Sequence, residues 1–120
     1  MNWNYLLAVG LALAVIIALK RLGLVSARVA RTYLQQGALV VDVRSPAEFK
    51  AGHLPAAVNI PLGELSDSLP QSLSDKNQVL LLHCLSGTRS GIARRRLLNL
   101  GYANVFNLGS FHRARKIVGP

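Results

Sequence analysis

The sequence predicts an α/β domain with a mostly parallel central sheet flanked by helices, preceded by one transmembrane helix. Three observations point to it. From residue 26 onward, strand-length apolar runs alternate with segments of helical spacing, the order that builds a parallel sheet covered on both faces. Two of those runs, residues 38–43 (ALVVDV) and 79–82 (VLLL), are almost continuously apolar, as strands buried on both sides are. Residues 1–19 contain no Lys, Arg, Asp or Glu. The 120 residues accordingly divide into an anchor and juxtamembrane segment, 1–25, and one domain, 26–120, large enough to bury its own core.

Within the first segment, residues 5–19 form an unbroken apolar run. Counted from Trp3 as a helix, it spans about 25 Å, slightly short of a hydrocarbon core of roughly 30 Å. Lys20 and Arg21 can snorkel so that Leu22, Leu24 and Val25 extend the apolar face, and Trp3 and Tyr5 supply interfacial anchors at the other end. A cleaved signal peptide carries its positive charge before the apolar region. Here Lys20, Arg21, Arg28 and Arg31 follow it. The expectation is an uncleaved single-pass segment in the cell (inner) membrane, touching lipid through residues 3–25. The positive-inside rule then puts the body in the cytoplasm.

Ser26 can cap a short helix whose Val29, Tyr33 and Leu34 share a face and which ends at Gln36 and Gly37. The 38–43 run is the first strand, with Asp42 and Arg44 at its C-terminal end. Ser45 and Glu48 make a capping box with Pro46 in the first helical position, so a short helix through Phe49 and Ala51 comes next, stopped by Gly52. Residues 57–60 read as a short strand between Pro55 and Pro61. Residues 62–69 space their apolar and acidic positions as a helix would, and 71–77 are a polar connection. The 79–82 run is the second buried strand, leading into His83 and Cys84. A helix over 90–100 would turn Ile92, Ala93, Leu97 and Leu100 inward and stop at Gly101. Residues 105–107 are a last strand and 111–118 a basic terminal helix.

Fourteen basic residues face five acidic ones, a net charge of +9. Such a balance suits nucleic acid, an anionic membrane surface or anionic small molecules. Aromatics interleaved with the basic residues, or a recognisable binding module, would mark nucleic acid, and neither is visible, so no nucleic-acid partner is expected. Arg94, Arg95 and Arg96 read first as a solvated face. A single cysteine excludes an internal disulfide and any metal site built on several thiolates. His53, His83 and His112 are scattered and no His-Glu-x-x-His pattern occurs, so neither a metal nor a cofactor is assigned.

The chemistry concentrates between the 79–82 strand and the helix after it, in Cys84-Leu85-Ser86-Gly87-Thr88-Arg89-Ser90. Small and polar residues around a central glycine let backbone N–H groups converge on one point, an anion-binding nest. The helix beyond adds the positive end of its dipole and Arg89 a full charge. A thiol so placed has a depressed pKa and is a ready nucleophile, and the same nest would stabilise an anionic persulfide. His83 tempts as a general base. Alternation along a strand turns it to the face opposite Cys84, which suits a structural role.

These residues resemble a known family. Asp42-Val43-Arg44 with Glu48-Phe49, then Gly52-His53-Leu54-Pro55-Ala56-Ala57-Val58-Asn59-Ile60-Pro61, are similar to the two N-terminal signatures of rhodanese domains. Cys84 to Ser90 is similar to that family's active-site loop, and Gly101-Tyr102-Ala103-Asn104-Val105 to its later segment. The resemblance implies a sulfurtransferase with Cys84 as the sulfur-accepting nucleophile. It implies a persulfide cradle from the backbone of Leu85, Ser86, Gly87, Thr88 and Arg89, with Asp42, Arg44 and His53 holding the loops around the site. The donor would be a small sulfur-containing anion such as thiosulfate, and the acceptor a thiol or a protein. Cys84 to Arg89 is six residues, the loop size of the sulfurtransferases, whereas related phosphatases use seven. The family's Gly-Gly followed by Trp is replaced by Gly109-Ser110-Phe111. A non-catalytic interaction module at the membrane, and a phosphatase or arsenate reductase using the same nest, are the rival classes.

Overall fold

The computed structural model describes residues 2–66 and 69–119, without the side chain of Arg21. Its elements are α1 (Trp3–Leu22), α2 (Ala27–Gln35), β1 (Leu39–Asp42), α3 (Pro46–Ala51), β2 (Val58–Asn59), β3 (Leu80–His83), α4 (Thr88–Asn99), β4 (Val105–Gly109) and α5 (Phe111–Val118). The four strands are all parallel in the order β2-β1-β3-β4, which puts the two apolar runs side by side in the middle of the sheet.

Alternation along these strands feeds two cores. Val41, Leu80, Leu82 and Val105 meet Ala93 and Leu97 of α4 on one face. Val40, Leu81 and Leu108 meet Ala30 of α2 and Ala114 and Ile117 of α5 on the other. The helix starts obey the caps: the Ser26 side chain accepts the Val29 N–H at 3.2 Å and that of Ser110 the Arg113 N–H at 3.0 Å. The Ser45–Glu48 capping box closes in both directions, at 3.1 and 3.2 Å.

Expectations for three segments are corrected. Val29 is exposed, and Ala30 is the buried residue of α2, because the small side chains of Ala30 and Ala114 let α2 and α5 approach closely. Ile92 is exposed as well. α4 starts two residues earlier than expected, at Thr88, and its inward stripe is Ser90, Gly91, Ala93 and Leu97. Among the described residues of 62–69 no α-helix forms: one 3₁₀ turn, Leu62–Glu64, is succeeded by Leu65 at φ −78°, ψ 89°. The Leu62 carbonyl is taken by the Leu65 N–H and by Arg96 Nη1 at 3.0 Å, so it has no role in an α-helical ladder. Asp67 and Ser68, the remainder of that expected helix, lie outside the described residues.

α1 is 20 residues long, about 30 Å at the helical rise, and includes Lys20 and Arg21. Its Trp3–Lys20 stretch is long and apolar enough to cross a membrane and is not covered by the rest of the chain. At Gly23 the backbone turns through a left-handed conformation, φ 65°, and Leu24 pairs in parallel with Asn107 beside β4. Gly23 O accepts the Asn107 N–H at 3.1 Å and Asn107 O accepts the Val25 N–H at 3.0 Å, so the chain leaving α1 adds one rung to the sheet edge.

Leu81 is fully buried in the central strand, away from the loop at the end of β3. Leu81→Ala is expected to cost about 2–5 kcal/mol of stability, read as a lower urea midpoint at unchanged slope.

Candidate active site

The end of β3 is where the sheet becomes irregular. Leu82 pairs with Asn107 while His83 pairs with Gly109, leaving Leu108 as an extra residue on β4. Bulges of this kind bend a strand and re-aim the side chains beyond the bend. Gly109, at φ 92°, accepts the Cys84 N–H at 3.2 Å, Leu85 O accepts the Phe111 N–H at 3.1 Å, and Ser86 bridges to Ser110. Gly87 rests directly on Gly109. A methyl group on Gly87 would lie 3.2 Å from the Gly109 Cα, and Gly87 itself has φ 99°, so a side chain there would be both crowded and strained.

Gly87 is also the N-cap of α4, where it has no side chain to offer the first amides. The sulfur takes that place. The Gly87 N–H donates to Cys84 Sγ at 3.0 Å, and Ser90 Oγ lies 3.5 Å from Sγ and 3.1 Å from Gly87 O. One hydroxyl proton cannot serve both acceptors, so Ser90 can support a thiol through the carbonyl and a thiolate by turning to the sulfur. Burial pushes the Cys84 thiol up. The Ser90 hydroxyl and the amides of Ser90, Gly87 and Ser86 outweigh it, and the net displacement is downward. Cys84 has 0% exposure, whereas Leu85, Ser86 and Thr88 over it are exposed.

Arg89 is paired. Its Nη1 and Nη2 donate to Glu48 Oε1 and Oε2 at 2.7 and 2.9 Å, a two-pronged contact that ties the start of α4 to α3. That hydrogen bond, against the opposing effect of burial, holds the Glu48 carboxyl at about 2. The contact to Glu48 also comes first in keeping the Arg89 guanidinium charged, and the nearby Cys84 charge adds to it. Of the triple arginine, Arg94 is drawn in to the Val105 carbonyl at 2.8 Å, while Arg95 is exposed.

Asp42 and Arg44 are buried together at the end of β1, with Arg44 Nη2 2.7 Å from Asp42 Oδ2 and from the Gly52 carbonyl. The Arg44 guanidinium lies 4.5 Å over the Phe111 ring, so Phe111 supplies an aromatic wall where the sequence has no tryptophan. His53 stands outside this group, exposed, stacked on Phe49 at 3.8 Å, and linked to it only through its neighbour Gly52. His83 faces away from the sulfur toward Phe111. Its Nδ1 contacts Cys84 O at 3.2 Å, and its Nε2, 3.7 Å from Asp42 Oδ2, is the buried side-chain nitrogen without a hydrogen bond among the described residues. Burial lowers its pKa, against the pull of the Asp42 charge. Glu48 as the partner of Arg89, Ser90 as a donor to sulfur, and the buried Asn107 are absent from the sequence reading of the site. The only signal for the Glu48 contact was opposite charge at a separation of 41 residues, which no local rule connects.

Fold and loop together define an α/β protein that presents a cysteine ringed by hydrogen-bond donors at the carboxyl end of a parallel sheet. The chain belongs to the rhodanese-like family: residues 26–113 match the rhodanese-like domain. It is 36% identical over 69 residues to thiosulfate sulfurtransferase PspE of Escherichia coli (strain K12), covering 58% of this chain and 66% of that one. It is 38% identical over 71 residues to the uncharacterized protein YqhL of Bacillus subtilis (strain 168), covering 59% and 55%. The matches thus span less than two thirds of either protein. Among solved structures, the human single-domain sulfurtransferase TSTD1 superposes with a TM-score of 0.67 at 30% identity, covering 78% of this chain and 96% of that one. A rhodanese with anions from E. coli superposes with a TM-score of 0.60 at 32% identity, covering 64% and 91%.

The electrostatics of the site lead to two expected outcomes. Ser90→Ala removes a donor to the thiolate, so the pH midpoint for alkylation of Cys84 by iodoacetamide is expected to rise by about one unit. The second concerns His83, which titrates lower in the folded chain than its ordinary 6.5, so the unfolded state binds more protons just below that value. Stability is therefore complete above 6.5 and falls as pH drops through it, by up to about 1.4 kcal/mol per pH unit. Urea midpoints at neutral and mildly acid pH should show this fall in the native protein and a flatter response in His83→Gln.

Proposed function

We propose that this chain is a membrane-anchored rhodanese-type sulfurtransferase that carries sulfane sulfur as a persulfide on Cys84. The observation that carries the reading is the Gly87 N–H aimed at Cys84 Sγ at 3.0 Å, within a six-residue loop capping α4. In the first half-reaction the Cys84 thiolate attacks the outer sulfur of thiosulfate or a related donor. The new S–S bond forms as the donor's S–S bond breaks, sulfite leaves with the bonding pair, and the negative charge stays on the outer sulfur of the persulfide. In the second, a thiol or another thiophilic acceptor takes that sulfur and returns the thiolate. Leu85, Ser86, Gly87, Thr88 and Arg89 line the cradle, while Asp42, Arg44 and His53 support its surroundings.

The division into residues 1–25 as anchor and 26–120 as domain belongs to the same proposal. Support for the membrane comes from the uncovered apolar length of α1 and from charge placement. All five acidic residues fall between positions 42 and 75, so α2, α4 and α5 carry basic residues without acidic ones. The positive-inside rule places the body in the cytoplasm.

One observation favours a second reading, a rhodanese-like interaction module without catalysis: Cys84 has no exposed surface, while Leu85 above it is 59% exposed. Incubation of the full-length protein with thiosulfate, and then intact mass measurement, separates the two. Addition of one sulfur atom to the native chain and none to Cys84→Ala is the expected result. No addition, or equal addition to both, would refute the transferase.

A further inference from the structure

Asn107 is fully buried in β4 and takes no part in the sulfur chemistry proposed above. Its side-chain amide is nonetheless heavily engaged. Nδ2 donates to Leu22 O at 2.9 Å and to Gly87 O at 3.1 Å, and Oδ1 accepts the Gly109 N–H at 2.8 Å. Leu22 is the last residue of α1, Gly87 is the residue whose N–H reaches the sulfur, and Gly109 is the glycine on which Gly87 rests. A single side chain therefore touches the end of α1 and both halves of the loop support.

The packing around it is equally tight. A methyl group on Gly91 would lie 2.7 Å from Leu22 Cδ2, 3.4 Å from Leu22 Cα and 3.5 Å from Asn107 Nδ2, so α1 is seated against α4 at a residue whose missing side chain leaves space for it. Gly87 O receives two further donors, the Gly91 N–H and the Ser90 hydroxyl, each at 3.1 Å. Gly87 is thus held from its carbonyl side while its N–H points at Sγ.

We propose that Asn107 is a positioning residue that makes the seated end of α1 part of the support for the Cys84 cradle, so that the reactivity of the sulfur depends on where α1 sits. The inference rests on Cys84 being the reactive sulfur. With α1 in a bilayer, lifting or tilting it relative to the domain would loosen Gly87 and weaken the thiolate.

The test uses the full-length protein in detergent micelles and compares the native chain with Asn107→Leu, which keeps much of the volume and removes the three hydrogen bonds. Gly91→Val retains the Asn107 side chain and crowds Leu22 off α4, so it decides the matter if Asn107→Leu fails to fold. The readout is the rate of Cys84 alkylation by iodoacetamide as a function of pH, with thermal unfolding recorded alongside. The groups near the thiol that carry charge or titrate are unchanged in both variants: Arg89 on α4, its partner Glu48 on α3, and Asp42, Arg44 and His83 at the ends of β1 and β3. Asn107→Leu is expected to raise the midpoint by about one pH unit, leaving about tenfold less thiolate on the acid side, and Gly91→Val to shift it the same way by a smaller amount. A purely structural role would lower the unfolding temperature and leave the midpoint of the folded protein unmoved, which would overturn the proposal. Sulfur uptake from thiosulfate is measured beside it. Uptake by the native chain with unshifted variants overturns this inference alone. Shifted variants of a protein that takes up no sulfur uphold it and overturn the transferase reading.

Discussion

The Gly87 amide reaches the Cys84 sulfur only because two glycines let the loop lie flat on the end of β4. Gly109 at φ 92° and Gly87 at φ 99° meet with no side chain between them, and the loop backbone is bonded to residues 109–111 on either side of that contact. This contact sets the start of α4 at Thr88, the inward turn of Ser90, and the use of sulfur as the helix's N-terminal acceptor. A thiol sealed among apolar residues with no such donors would rise in pKa and lie inert. Here the donors outweigh the burial, and the same burial strengthens each of them by excluding water.

Two ion pairs divide the remaining work. Asp42 and Arg44 are buried, and their contacts run to the backbone: Arg44 reaches Gly52 O, and Asn59 Nδ2 donates to the carbonyls of Asp42 and Arg44 at 3.0 and 2.9 Å. This network fixes the turns after β1 and β2 to each other. A charge pair so completely hydrogen-bonded gives definition to the loops more than net stability, since desolvation offsets most of its attraction. Glu48 and Arg89 are about one third exposed, so their contribution to stability is small, on the order of the 0–1 kcal/mol of a surface pair. Their effect is geometric, because each sits in the first turn of its helix and the pair sets the distance between α3 and α4.

How much of this was legible in the sequence depends on the range of the interaction. The capping box of Ser45 and Glu48, the cap at Ser26, the two central strands and the helix over 111–118 are all set by neighbours within a few residues, and the structure has them where the pattern puts them. The position of Cys84 between a buried strand and a helix was readable for the same reason. The false helix over 62–69 shows the limit. Its apolar spacing is real, since Leu62, Leu65 and Leu69 do pack on the core, but Leu62 starts a single 3₁₀ turn whose first carbonyl is held by Arg96, thirty-four residues away. Ser110 in place of a second glycine was legible only as a departure. In the structure it sits at φ −71°, where no glycine is needed, and serves α5 as its cap.

What the sequence could not show is that residues at the edge of the sheet bear on the sulfur. Leu24 and Asn107 pair where α1 ends in a left-handed glycine, and Asn107 reaches Gly87 just before the point where a bulge gives β4 one residue more than β3. Neither event has a local signature, yet together they put a segment read as a simple anchor within one side chain of the cradle. An anchor on a flexible tether could be exchanged for another without consequence. The last residue of α1 shares a buried amide with the loop and cannot be moved without disturbing the hydrogen bonds that hold that loop, so the end of the apolar helix and the cysteine loop meet in the same few ångströms of backbone.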